Sequence, residues 1–231
     1  MTSNWLAFWD SPHSIYVNVR HKDVHYRVIA QAIAALVPSP QARVLDYGCG
    51  EALHADIVAA VCSQLLLCEG APRVRSGIAA HFADNPKIRA LAPDDLKPLP
   101  DRSLDLIVLH SVAQYLTPEE LSALLAQFHR LLSASGTLIV SDIIPPEVPA
   151  ATDALALLKF GAANGFFVAA VAGLARTLVS NYWRLRSQYG LTRYSDAAMI
   201  DMLAAAGFAA QRKPDNIGHN QARAAFTAQP R

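Results

Sequence analysis

The chain has 231 residues, 52% of them hydrophobic and 17% charged, enough apolar matter for the core of one α/β domain and too much for a disordered chain. Lys and Arg number 20 against 19 Asp and Glu, a formal net charge of +1, so no basic surplus exists to neutralise phosphates and no nucleic-acid partner is expected. Cys49, Cys62 and Cys68 lack both CxxC spacing and a nearby His pair. That argues against zinc sites and disulfide frameworks and, with a start (MTSNWLAFWDSPHS) that lacks a basic-then-apolar leader, predicts reduced thiols in a cytoplasmic protein.

An aromatic segment over 1–20 leads into a predicted helix over 21–36, stopped by Pro38 and Pro40. Strand and helix then alternate. RVLDY (43–47) and QLLLC (64–68) read as strands, with helices over 52–61 and 73–82. A weak third strand lies at 88–91, and LDLIVLH (104–110) has the all-apolar character of a buried parallel strand. Thr117-Pro118-Glu119-Glu120 has the cap, the first-turn proline and the third-position acid of a helix start, and that helix runs to about 132. TLIVSD (137–142) is a fifth strand. This rhythm describes βαβ units around a parallel sheet.

Beyond Pro145-Pro146 the rhythm breaks. Residues 150–190 read as helical and apolar with no strand between them. The most apolar stretch, 160–175, is shorter than the roughly 20 residues of a spanning helix, so no span is expected, while contact with a membrane surface stays open. Ser195 then caps a helix stopped by Gly207, and strands are predicted at 208–212 and 222–228. The chain reads as one domain: a cap (1–40), a core (41–145), a helical insertion (146–194) and a closing unit (195–231).

The strongest chemical signal is Asp46-Tyr47-Gly48-Cys49-Gly50-Glu51-Ala52, where a strand ends in an acid and glycines open a helix. Glycines permit a tight turn and close approach of a ligand to the backbone. A dinucleotide fingerprint would need glycine at position 53, which is Leu53. An acid two residues before the first glycine would also repel a pyrophosphate, whereas it suits a ligand carrying an ammonium and a sulfonium. The segment resembles motif I of class I S-adenosylmethionine (SAM)-dependent methyltransferases, with Ala52 in place of the motif's last glycine.

That resemblance covers about 40–145 well and 195–228 loosely. It implies a three-layer Rossmann-like fold with a mostly parallel seven-stranded sheet in the order 3-2-1-4-5-7-6 and a helical insertion after strand 5. It also implies SAM as cofactor, held by Asp46, Gly48, Cys49 and Gly50. Glu69 follows the second strand, where an acid accepts ribose hydroxyls. Asp94, Asp95 and Leu96 resemble the segment that reads the adenine, with the two acids competing for one role; a plain solvated turn is the other reading.

His110 ends the fourth strand, beside the expected position of the methyl group. It is read either as a general base or as a wall of the pocket. Near the N-terminus, Tyr16, Arg20 and His21 are candidates to close over SAM, against the alternative that the surrounding aromatics staple the segment to the core. His219 is placed in a turn far from the site. No N/D-PP-Y motif follows strand four, which points to a small or lipid-like acceptor. The insertion from about 153 to 189 is read as a lid over that acceptor, with Phe166 and Phe167 on its apolar part and Arg184 or Arg186 at an acidic group; a packing or homodimer face is the alternative. A non-catalytic SAM-binding module, or the partner subunit of a modifying complex, is the rival function.

Overall fold

The computed structural model describes residues 3–11, 15–177 and 190–231. Its sheet contains β1 (Arg43–Tyr47), β2 (Gln64–Cys68), β3 (Ile88–Leu91), β4 (Leu104–His110), β5 (Leu132–Ile143), β6 (Phe208–Arg212) and β7 (Ala224–Pro230). The strand order is β3-β2-β1-β4-β5-β7-β6. β7 runs antiparallel to both neighbours and the other pairings are parallel. The expected order and the antiparallel seventh strand are both present.

The helices are α1 (Ser3–Asp10), α2 (Val19–Ala34), α3 (Ala55–Ala59), α4 (Pro72–His81), α5 (Pro118–Leu131), α6 (Ala150–Asn164), α7 (Phe167–Thr177) and α8 (Asp196–Ala205). Strand side chains alternate between two cores. Val44, Leu65, Leu67, Leu106 and Val108 pack on α2, α3 and α4, while Leu45, Leu66, Ile107 and Leu109 pack on α5 and α8. This three-layer arrangement is why the strands are apolar on both faces.

Local chemistry sets the helix starts. Thr117 Oγ1 accepts the Glu120 N–H at 3.2 Å and Glu120 Oε2 accepts the Thr117 N–H at 2.9 Å, the reciprocal pair read from the sequence. α2 begins at Val19, two residues earlier than expected, because Asn18 Oδ1 accepts the His21 N–H at 2.8 Å and so caps the helix. β5 begins at Leu132, directly after α5, where a loop through Ser135-Gly136 was expected; Leu132 pairs with Leu104 before a register shift.

Two features position the site. The antiparallel β7 returns the β6–β7 loop to the carboxyl end of β5, where Ile143 pairs with Ala224. The α6–α7 hairpin packs Phe160, Phe166 and Ala170 against Val17, Val24 and Val28 of the α2 region. α7 is not buried all round, as its apolar sequence suggested: Val168 is 82% exposed, with Phe167 and Val171 about half exposed. No helix among the described residues is long and apolar enough to cross a membrane.

Candidate active site

The chain leaves β1 through a loop that glycine makes possible. Gly48 and Gly50 have φ of 73° and 58°, in the left-handed region. A Cβ on Gly48 would lie 2.3 Å from Val112 Cγ2, and one on Gly50 would lie 2.6 Å from Tyr26 Oη. The Gly48 N–H donates to the Cys68 carbonyl at 2.7 Å, tying the loop to the end of β2. Ala52 keeps the conformation of the glycine it replaces, with φ of 46°.

Glu69 stands at the end of β2, only 9% exposed. Its Oε2 accepts the Gly50 N–H at 3.0 Å and its Oε1 the Ala71 N–H at 2.8 Å. Loss of water pushes its carboxyl above the usual range, and these backbone donors pull it back. Asp46 faces the same space; desolvation, then the charge of Glu69, raises its carboxyl to about 7. The Cys49 thiol is pushed well up by burial and by these acids, so it stays protonated.

One cavity of about 540 Å³ extends from this loop along the carboxyl ends of the strands, within the usual range of small-molecule sites. Asp46, Gly48, Cys49, Gly50 and Glu69 line one part of it. His25, His110, Ser111 and Asp142 line another, with Ile15, Leu116, Ile144 and Leu191 as apolar wall. His110 Nδ1 meets Ser141 Oγ at 3.0 Å, and Ser141 is fully buried. If Nδ1 carries the proton in that bond, Nε2 is left as a lone pair. Burial lowers the His110 pKa and Asp142 draws it back up.

The structure brings Tyr16 to the cavity, where its hydroxyl accepts a hydrogen bond from Tyr26 and its pKa is pushed up to about 12, chiefly by burial. Arg20 is not brought there. It donates to the Asn164 carbonyl at the end of α6, because the α6–α7 hairpin docks on the start of α2. His21 stacks on Phe166 with ring centroids 4.9 Å apart, behind the cavity wall. Asp94, Asp95 and Leu96 also stay off the walls. Asp94 pairs with Lys97 at 2.8 Å in solvent, Asp95 closes its own turn on the Ala92 N–H at 2.7 Å, and Leu96 fills the core. Pro93 is the wall there.

Trp5 and Phe8 staple α1 onto Tyr115, while Leu6 and Trp9 of the same helix face the cavity. Phe166 packs behind α2 and Phe167 is half exposed, so neither walls the cavity as a lid would. Arg184 and Arg186 lie outside the described residues. His219 is closer than expected, since the antiparallel β7 carries its loop back: its ring stacks on Phe160 at 4.3 Å and lies 6.3 Å from His25. His25 and Tyr26 were not singled out from the sequence. Their signal was the run His21, His25, Tyr26 on one helix, adjacent to Tyr16.

A family model described as a methyltransferase domain matches residues 45–140, from β1 through most of β5. Over that stretch the chain carries a methyltransferase domain, with SAM as its cofactor. Among solved structures, the chain resembles magnesium protoporphyrin IX methyltransferase from Synechocystis with bound SAH (17% identity, 98% of this chain and 93% of that one, TM-score 0.59). The DhpI–SAH complex is similar (13%, 97% and 94%, 0.60), as is the mitomycin 7-O-methyltransferase MmcR (17%, 90% and 54%, 0.61). At these identities the likeness is one of fold. No curated protein sequence matches the chain significantly.

The residues around this cavity fit SAM. Two carboxylates share an apolar cavity, which a ligand bearing an ammonium and a sulfonium relieves. The glycines bring bare backbone to its wall, and each Glu69 oxygen retains a lone pair beyond its backbone bond for ribose hydroxyls.

Proposed function

We propose that the methyltransferase methylates a small or lipid-like acceptor held beside His110, with Asp46, Gly48, Cys49, Gly50, Glu69 and Tyr16 around SAM. One observation carries this reading: a single cavity joins the glycine loop and Glu69 to His110. Its apolar walls, Ile15, Leu116, Ile144 and Leu191, suit an acceptor with an apolar body. The resemblance to enzymes named for magnesium protoporphyrin IX and mitomycin supports a small-molecule acceptor.

In this reading His110 is the general base. SAM would supply the methyl to the acceptor's oxygen or nitrogen, its sulfur keeping the electron pair of the methyl–sulfur bond, and His110 Nε2 would take the acceptor's proton. Positioned proton transfer of this kind contributes about 10²–10⁴-fold to rate. Glu69 and the glycine loop fix the distance and angle of approach.

The test is transfer of labelled methyl from SAM to a panel of phenols, carboxylic acids, amines and acyl lipids, by the wild type and by His110→Gln. The wild type is expected to label a panel member and the variant to lose at least 100-fold. A wild type that binds SAM but labels none of the panel contradicts the acceptor class, and a fully active variant removes the base.

A further inference from the structure

Ser111 and Asp142 follow the carboxyl ends of β4 and precede that of β5, and both carry φ near +60° (58° and 60°) without being glycine. Left-handed backbone is strained for an L residue, and such outliers persist where surrounding structure holds them, often at functional sites. Here the two strained residues are joined. Ser111 Oγ donates to Asp142 Oδ2 across the strand pair, and the Ser111 N–H donates to the Ser141 carbonyl at 3.2 Å.

The β6–β7 loop is built around the same residue. Asn216, buried, accepts the Asp142 N–H on its Oδ1 at 2.8 Å. It is itself fixed by the Gln221 Oε1, which accepts its N–H at 3.0 Å, and by donating its Nδ2 to the Asn220 carbonyl at 3.1 Å. Asn220 and Arg223 then anchor the loop on Asp153 of α6, Arg223 by two nitrogens. Thus Ser111 holds the Asp142 carboxylate and the β6–β7 loop its backbone, at the wall of the cavity next to His110.

Resting on the reading of His110 as base, we propose that Asp142, bridged by Ser111, is the positioning residue that holds the charge of His110 once it has taken the acceptor's proton. The acceptor is then one that still carries a proton at neutral pH and loses it on methylation: a hydroxyl or an N–H. Ser111 Oγ stands 3.5 Å from His110 Nε2 and donates to Asp142, so an Nε2–H newly formed there finds an oxygen lone pair already polarised by a carboxylate. Among the described residues, the other ionisable groups acting with His110 are His219 of the β6–β7 loop and His25 of α2, both with pKa lowered by burial. Neither supplies a negative charge. Asp153 and Arg223 act on His219 and are paired with each other. Asp142 is the only group that raises the His110 pKa among those acting on it.

The experiment uses SAH-bound protein with ¹⁵N-labelled histidine and follows the His110 imidazole by NMR through a pH titration, its signal assigned by its absence in His110→Gln. Asp142→Asn keeps the size of the side chain and an oxygen for Ser111 but removes the charge. It is expected to lower the His110 pKa by about one unit, the size of an opposite charge at short range, with SAH affinity within threefold of wild type. Ser111→Ala is expected to move the titration the same way by less, and it serves if Asp142→Asn does not fold.

A shift below 0.3 unit in both variants overturns the proposal, as does a tenfold loss of SAH affinity, which would place Asp142 on the methionine ammonium. So does a His110 that stays neutral to the acid limit in the wild type. The labelling assay separates the two readings: fully active His110→Gln removes the base and this proposal with it. Inactive His110→Gln with an unmoved titration in the Asp142 and Ser111 variants overturns the role of Asp142 alone.

Discussion

The Tyr26 hydroxyl accepts the Glu51 N–H at 2.9 Å and occupies the space where a Gly50 side chain would project, 2.6 Å from that Cβ. α2 is therefore latched to the glycine loop by an atom that only a glycine at 50 admits. Gly50→Ala must both strain the backbone, at about 1–2 kcal/mol, and displace this hydroxyl. Tyr26→Phe leaves the backbone unstrained and removes this bond and the one donated to Tyr16, at about 1 kcal/mol each.

Because the two costs share one atom, they are expected not to add. Gly50→Ala introduced into Tyr26→Phe should cost less than in the wild type, with a coupling of about 0.5–3 kcal/mol in urea unfolding. Additive values would mean that the loop yields without touching α2.

SAM affinity is expected to depend on pH through Asp46. A carboxyl raised to about 7 is largely protonated at pH 6, where it cannot pair with an ammonium, and ionised above pH 8. Binding should therefore weaken as pH falls through 7, by about tenfold between pH 8 and pH 6. It should also release a proton in that window, seen as a heat that varies with the buffer. Asp46→Asn should bind weakly at every pH. Calorimetry giving a flat wild-type profile would remove Asp46 from the cofactor's charged end.

Acid should unfold the protein through α2. Burial lowers His21 to about 4 and His25 to about 3, and His21 Nδ1 accepts the Val17 N–H at 3.3 Å, a bond that protonation breaks. Folded pKa values below the unfolded 6.5 mean stability that is complete above pH 6.5 and lost as pH falls toward 4 and 3. For His21 the loss is about 3 kcal/mol by pH 4. Urea midpoints at pH 7.5 and 5 should separate in the wild type and draw together in His21→Gln; an unchanged separation would assign the acid sensitivity elsewhere.

The sequence by itself determined what depends on neighbours along the chain. The two-residue alternation of Val44-Leu45 and Leu65-Leu66-Leu67 specifies strands buried on both faces, and Thr117 with Glu120 specifies a helix start. Asp46, Gly48 and Gly50 with Glu69 carry their signal in spacing, because a strand–turn–helix fixes how far the second strand's acid lies from the loop. The sheet order came from resemblance, and the pairing reproduces it.

Only the tertiary structure decided which distant residues share the far end of the cavity. Asp142 and Ser111 look ordinary in sequence; their strained backbone and mutual bond arise from parallel pairing of β4 and β5. Arg20 has the type of a ligand contact, yet the α6–α7 hairpin claims it, and Asp95 is consumed by its own turn. His219 and Asn216 reach the site because β7 runs backward beside β5. Periodicity and capping act over a few residues and are written locally, whereas these meetings join elements from 31 to 144 residues apart.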